Sequence, residues 1–275
     1  GKPAVLLTGF RDPHSYQMRP SDAAAVARAD IVFWIGPSME SFLFRSLDAL
    51  GRAAAARPLI QAPGVTLLGA RAGGAWEEMA PAHGHTDEPV GTDLHDDAAD
   101  GGRYDPHIWL DPANARAMTR VIAEVLAEAD PERAATYAAN ARHVIARLDA
   151  LEEEMRAMLA GVAGRPFLVF HDAYRYLEHA FGLTGVGAVA VAAGRPPSAR
   201  RMQELRRLVS ESGVGCLVVE PQLDSGLVDT LVEGHDVRVA TVDAVGRGLA
   251  PGPGAYFGMM RANAAALAAC LGRTG

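Results

Sequence analysis

The stretch from Pro131 to about Gly161 constrains the fold of this chain more than any other. Tyr137, Ala141, Val144, Leu148, Leu151, Met155, Met158 and Val162 recur at alternating steps of four and three, which lines one face of an α-helix with apolar side chains. Arg142, Arg147, Asp149, Glu152, Glu153, Glu154 and Arg156 fall mostly off that stripe and form its solvated face. Asp130 is placed to cap the helix, Pro131 suits its first turn, and Gly161 and Gly164 supply the stop. About thirty residues at 1.5 Å each give a rod of roughly 45 Å, longer than a small domain is wide. The same steps fit a heptad, so a coiled-coil dimer is the alternative. Only about four heptads are available and Ala141 is a weak seam residue, which favours a single helix laid across two lobes.

On either side of the rod the pattern alternates. Before it, strands are expected at Ala4–Leu7, Ile31–Ile35 and near Val65–Leu68, with helices at Ser21–Arg28, Ser38–Leu50 and from Asp111-Pro112 to about Ala129. After it come strands at Phe167–Phe170, Gly185–Val191, Cys216–Val219 and Val237–Val242. These alternate with helices at Asp172–Ala180, Ser198–Ser212, Ser225–Glu233 and Ala255–Leu271. Such alternation predicts an α/β fold: two parallel-sheet lobes, residues 1–129 and 163–275, bridged by the helix of residues 130–162. Between Ala70 and Tyr104 periodicity is lost and Gly, Asp and His accumulate, as in a surface loop.

Composition excludes several classes. With 49% hydrophobic and 21% charged residues, the 275-residue chain can bury a large core. The net charge is −7, Lys2 is the only lysine, and the arginines are scattered, so no nucleic-acid surface is expected. No apolar run approaches the roughly eighteen residues of a membrane span, so a soluble protein is expected. The chain opens on Gly1, and the lack of a signal peptide says nothing about export. On their own, Cys216 and Cys270 are equally consistent with two buried thiols and with a disulfide.

Ligands of open α/β sheets bind beyond the carboxyl ends of the strands. Four residues meet that condition or lie at a helix approach. His14 follows the first expected strand, His107 precedes the Asp111 cap, His171 follows Phe167–Phe170, and Asp243 follows Val237–Val242. Any one of these histidines, taken singly, is more often a surface or hydrogen-bonded residue. Two come from each lobe, so a site built from all four would lie in the cleft as a four-coordinate N₃O set, which suits Zn2+, although spacing alone does not decide it. Mn2+, Mg2+ or Ca2+ would want more oxygen.

Five stretches resemble a known family. They are His14-Ser15-Tyr16 with Arg19-Pro20-Ser21-Asp22, Asp30-Ile31-Val32-Phe33-Trp34-Ile35-Gly36, His107-Ile108-Trp109-Leu110-Asp111-Pro112, Phe170-His171-Asp172-Ala173-Tyr174, and Glu220-Pro221-Gln222. In that order they are similar to the metal-binding subunits of bacterial ABC transporters, and more closely to the zinc-specific solute-binding proteins. The resemblance implies two α/β lobes joined by one long helix, metal between them, and ligands at His14, His107 and His171. Histidine at 171 goes with zinc, whereas manganese relatives carry glutamate there. The fourth ligand varies in the family, and Pro13 removes the acidic neighbour of the first histidine. Asp243 therefore competes with water, in a turn that reads Asp243-Ala244-Val245-Gly246 where the family has Asp-Pro-Leu-Gly.

The resemblance also implies a disulfide between Cys216 and Cys270, a periplasmic location, a membrane permease as partner, and no catalysis. A periplasmic zinc chaperone is a further partner to consider, and a monomer is expected. The family's strand and helix ahead of the segment that starts at Gly1 are missing here, and its His-rich loop is reduced to His83, His85 and His95. That loop is either a weak zinc-capture site or a disordered acidic segment. Two other functions compete: a zinc-dependent hydrolase using Asp243 as base, and a manganese or iron carrier of the same fold. No Gly-x-Ser-x-Gly, P-loop or Gly-x-Gly-x-x-Gly motif supports an enzyme.

Overall fold

Four parallel strands, β3 (Pro166–Val169), β4 (Thr184–Ala188), β5 (Cys216–Val219) and β6 (Arg238–Thr241), form the larger sheet in the order β4-β3-β5-β6. They belong to a computed structural model that describes residues 3–7, 13–14, 16–71, 76, 103–189, 198–211, 213–221 and 225–272. A smaller parallel sheet pairs β1 (Val32–Trp34) with β2 (Ala56–Pro58).

Alternation along the large sheet decides what covers it. Phe167, Val169, Cys216 and Val218 face the main core, with Leu148, Leu151, Met155, Leu159, Met260 and Leu267. Leu168, Leu217 and Val219 face the other way, onto Leu205, Val209, Val228 and Leu231. These last four lie on α6 (Ala199–Glu211) and α7 (Ser225–Val232), so helices cover both faces of the sheet, as a parallel sheet requires. The small sheet has its own cluster of Val26, Val32, Trp34, Leu43 and Leu47. Val26 comes from α1 (Pro20–Arg28), and the two leucines from α2 (Ser41–Ala49).

The expected rod is present as α4 (Ala134–Leu159), with a 3₁₀ turn before it at Pro131–Arg133 and another after it at Ala160–Val162. Its buried residues are Leu148, Leu151, Met155 and Leu159. Tyr137, Ala141 and Val144 are only half-buried, so the apolar stripe does its packing in the C-terminal half. The helix lies between α3 (Pro112–Ala129) and α8 (Ala255–Gly272) of its own chain. Arg116 pairs with Glu152 at 2.5 Å on one side, and Arg261 with Glu154 at 2.7 Å on the other. Asp111 caps α3 by accepting the Ala113 N–H at 2.7 Å, as expected. Asp130 instead accepts from the Tyr137 hydroxyl at 2.8 Å and from Arg133.

Two expected strands are not formed. Residues 3–7 adopt no strand, and Val5 is 61% exposed. Val65–Leu68 forms no strand: Asn114 accepts the Thr66 N–H at 2.7 Å and the Tyr176 hydroxyl accepts the Leu68 N–H at 3.0 Å, while the Leu68 carbonyl accepts the Asp105 N–H at 2.9 Å beside an isolated antiparallel bridge between Gly69 and Tyr104. The end of the expected strand to Val191, and His83, His85 and His95, lie outside the described residues. Cys216 and Cys270 form a disulfide that ties β5 to α8. Among the described residues no helix is long and apolar enough to cross a membrane.

Candidate metal centre

The order β4-β3-β5-β6 places the topological switch between β3 and β5, the position where a crevice opens beyond the strand ends. Three polar residues lie just past strands of this sheet: His171 after β3, Glu220 after β5 and Asp243 after β6. His171 does not open a helix as the sequence suggested. It sits in the turn between β3 and α5 (Arg175–Phe181), where its carbonyl accepts the Ala173 N–H at 2.9 Å.

His14, His107 and His171 come together, each offering one ring nitrogen within 4.8 Å of the others. Nε2 of His14 lies 3.2 Å from Nε2 of His107. Bonds of 2.0–2.1 Å in a tetrahedron would set neighbouring nitrogens about 3.3–3.4 Å apart, so this pair already has the edge length of a zinc ligand pair. The ring centroids are separated by 5.2 Å for His14 and His107, 5.4 Å for His14 and His171, and 5.2 Å for His107 and His171.

Carboxylates orient two of the rings. Asp105 accepts from His107 twice, from the ring Nδ1 at 2.7 Å and from the backbone N–H at 2.9 Å. Burial opposes ionisation of Asp105, but the His107 hydrogen bonds and field hold its pKa below the usual carboxylate range. Ionised Asp105 fixes the proton of His107 on Nδ1 and leaves the Nε2 lone pair for the centre. Nδ1 of His171 faces Glu220 Oε1 at 3.4 Å, which makes Nε2 the candidate ligand atom of this ring. Burial works against charging His171. The Glu220 hydrogen bond and field, with Asp172 and Asp105, outweigh it and raise the pKa.

Asp243 is not part of the 4.8 Å cluster. Its Oδ1 accepts from the N–H groups of Val245 at 3.0 Å and Gly246 at 2.9 Å, heading a turn that Gly246 completes at φ +74°. Asn263 holds the Asp243 backbone from both sides, at 2.9 and 2.8 Å. The same loop is stitched to the histidine segments. Trp109 donates to the Ala244 carbonyl at 2.7 Å and Tyr174 to the Val242 carbonyl at 2.8 Å. The sequence reading missed Asp105 and Glu220. Asp105 could have been found from its place two residues before His107, and Glu220 from the strand-end rule that selected His171.

An α/β protein with three converging imidazoles, two of them oriented by carboxylates, belongs to the class of metal-binding proteins. The family model described as ZnuA, zinc-uptake complex component A, periplasmic, matches residues 2–270, and the chain belongs to that family. It is similar to the high-affinity zinc uptake system protein ZnuA of Brucella suis biovar 1 (strain 1330), with 39% identity across 99% of this chain and 86% of the relative. The protein of that name from Paracoccus denitrificans (strain Pd 1222) is 37% identical over 99% of this chain and 86% of its own length. A crystal structure of ZnuA shares the fold, with a TM-score of 0.74 and 24% identity over 97% of this chain and 89% of that one.

Proposed function

We propose that this protein binds one Zn2+ through Nε2 of His14, His107 and His171, with Asp243 supplying the fourth ligand, and delivers it to the membrane permease of an ABC-type importer. The observation that carries this reading is the convergence of three imidazoles, two with Nδ1 turned to a carboxylate. A nitrogen-rich set selects zinc over harder cations, and the relatives are named for zinc uptake. The ion is cargo: four protein ligands leave no open coordination position for chemistry. A hydrolase would need such a position and a base beside it, whereas Asp243 Oδ1 heads a backbone turn and the family is one of zinc-uptake components.

The periplasmic description of the matching family model supports a periplasmic place of work, and the protein acts there as a monomer. Residues 1–129 and 163–275 are the two lobes, joined by the helix of residues 130–162, with the ion held between them. The test is competition for zinc against a chelator of known affinity. His171→Ala should weaken binding by orders of magnitude and Asp243→Ala by less. Parent-like affinity in His171→Ala would remove the assignment.

A further inference from the structure

Arg71 touches none of the three histidines in the contacts described, yet it is held by two carboxylates, one of them next to His171 in the chain. Its Nε donates to Asp172 Oδ2 at 3.0 Å and its Nη2 to Asp172 Oδ1, while Nη1 and Nη2 donate to Glu178 at 2.8 and 2.9 Å. The side chain is 16% exposed, against 18% for Asp172 and 9% for Glu178. A cation so withdrawn from water is tolerated only with its donors satisfied, and two carboxylate forks satisfy them. The Trp76 ring closes the remaining face, 3.5 Å from the guanidinium, and the Trp76 backbone N–H donates to the Val186 carbonyl of β4 at 2.8 Å. Gly185 leaves the room this needs, since a Cβ there would lie 2.8 Å from Glu178 Oε1.

What Arg71 joins matters more than how tightly it is held. Asp172 is the covalent neighbour of His171 and shares its turn. The segment leading to Arg71 runs beside the one leading to His107. The Ala70 N–H donates to the Arg103 carbonyl at 2.8 Å and the Asp105 N–H to the Leu68 carbonyl at 2.9 Å. Tyr176 of α5 sits across the same ladder, its hydroxyl donating to the Asp105 carbonyl at 2.9 Å. One end of this arrangement therefore carries Asp105 and His107, and the other, through Arg71 and Asp172, carries His171.

We propose that Arg71 is a positioning residue of the metal centre: it clamps the β3–α5 turn to the 68–71 segment and so sets where His171 sits relative to His107. The proposal rests on the reading that these histidines hold the ion. Loss of the fork should act as loss of an outer partner of a ligand does, weakening metal binding about 10–100-fold without removing a ligand. Simple loss of a buried ion pair would lower stability and leave the site alone.

The test compares zinc affinity by chelator competition, and the visible absorption of bound Co2+, in the parent and in Arg71→Gln, Arg71→Lys, Arg116→Gln and His171→Ala. Arg116 serves as control because it joins α3 to α4 at 18% exposure, far from the histidines in its contacts. Arg71→Gln is expected to weaken zinc about 10–100-fold and alter the Co2+ bands, with Arg71→Lys in between, since an ammonium cannot fork two carboxylates. Arg116→Gln should lower the melting temperature and leave affinity and spectrum unchanged. If Arg71→Gln does not fold, Arg71→Lys decides alone. Parent-like affinity and spectra in the Arg71 variants that fold, with zinc lost in His171→Ala, would overturn the clamp. Parent-like zinc binding in His171→Ala would instead overturn the functional reading beneath it.

Discussion

Replacing Asp105 tests whether the carboxylate behind a ligand sets its strength. Asp105 is 4% exposed and its Oδ1 accepts both the ring and backbone N–H groups of His107. Asp105→Ala leaves a buried backbone donor without its acceptor, which costs about 1–3 kcal/mol of folding stability with or without zinc. It also frees the imidazole to carry its proton on Nε2, a tautomer that cannot bind metal through that nitrogen. Loss of such an outer partner weakens metal binding about 10–100-fold, or roughly 1.4–2.8 kcal/mol. At the same zinc excess, zinc-induced stabilisation falls by the same amount. An unfolding entropy of about 2.1 cal/mol/K per residue gives roughly 0.58 kcal/mol/K for 275 residues. The zinc-induced rise in Tm should thus shrink by roughly 2–5 °C. Asp105→Asn keeps an acceptor and loses the charge, and should fall between parent and Asp105→Ala. Calorimetry with chelator and with zinc measures both terms. An Asp105→Ala protein with the parent's zinc-induced shift would refute the reasoning.

Acid should release zinc early, because the raised His171 pKa lets protons compete above the ordinary histidine value of about 6.5. Chelator competition across pH should show Glu220→Gln holding zinc to lower pH than the parent; coincident profiles would count against Glu220 as the cause. For the metal-free protein, the charged His171 pairing stabilises the fold below the unfolded pKa. That contribution is lost as pH rises through the raised folded value, so Glu220→Gln should be relatively less stable on the acid side in urea titrations. Reducing Cys216–Cys270, whose sequence separation is 54, should cost about 4 kcal/mol by loop closure and roughly 7 °C in Tm. Unchanged melting under reductant would contradict it. Leu151→Ala, at 0% exposure in the face of α4 that packs the core, should cost about 2–5 kcal/mol in urea unfolding and leave zinc affinity unchanged.

The parts legible in the sequence were those with a local signature. Period-3.6 spacing disclosed α4, and Asp111-Pro112 disclosed the start of α3. Position after a strand picks out His171; His14 follows an expected strand that does not form and His107 precedes a helix cap, so the family resemblance is needed to join the three. What escaped notice depends on partners distant in the chain. Arg71 is paired 101 and 107 positions away, and nothing at residue 71 announces it. Val65–Leu68 reads as a strand because apolar residues are alike wherever their backbone bonds go; here the Thr66 and Leu68 N–H groups go to Asn114 and Tyr176. Conversely β2, Ala56-Arg57-Pro58, carries no alternation that would mark it as a strand, although Val32 pairs with Ala56 and Trp34 with Pro58.

The central claim is that three distant imidazoles share one ion. Diffraction recorded on either side of the zinc absorption edge, from crystals of the zinc-loaded protein, locates that ion directly. The account predicts one anomalous peak about 2.0–2.1 Å from Nε2 of His14, His107 and His171. A zinc peak away from these nitrogens, with the three rings bare, would contradict it.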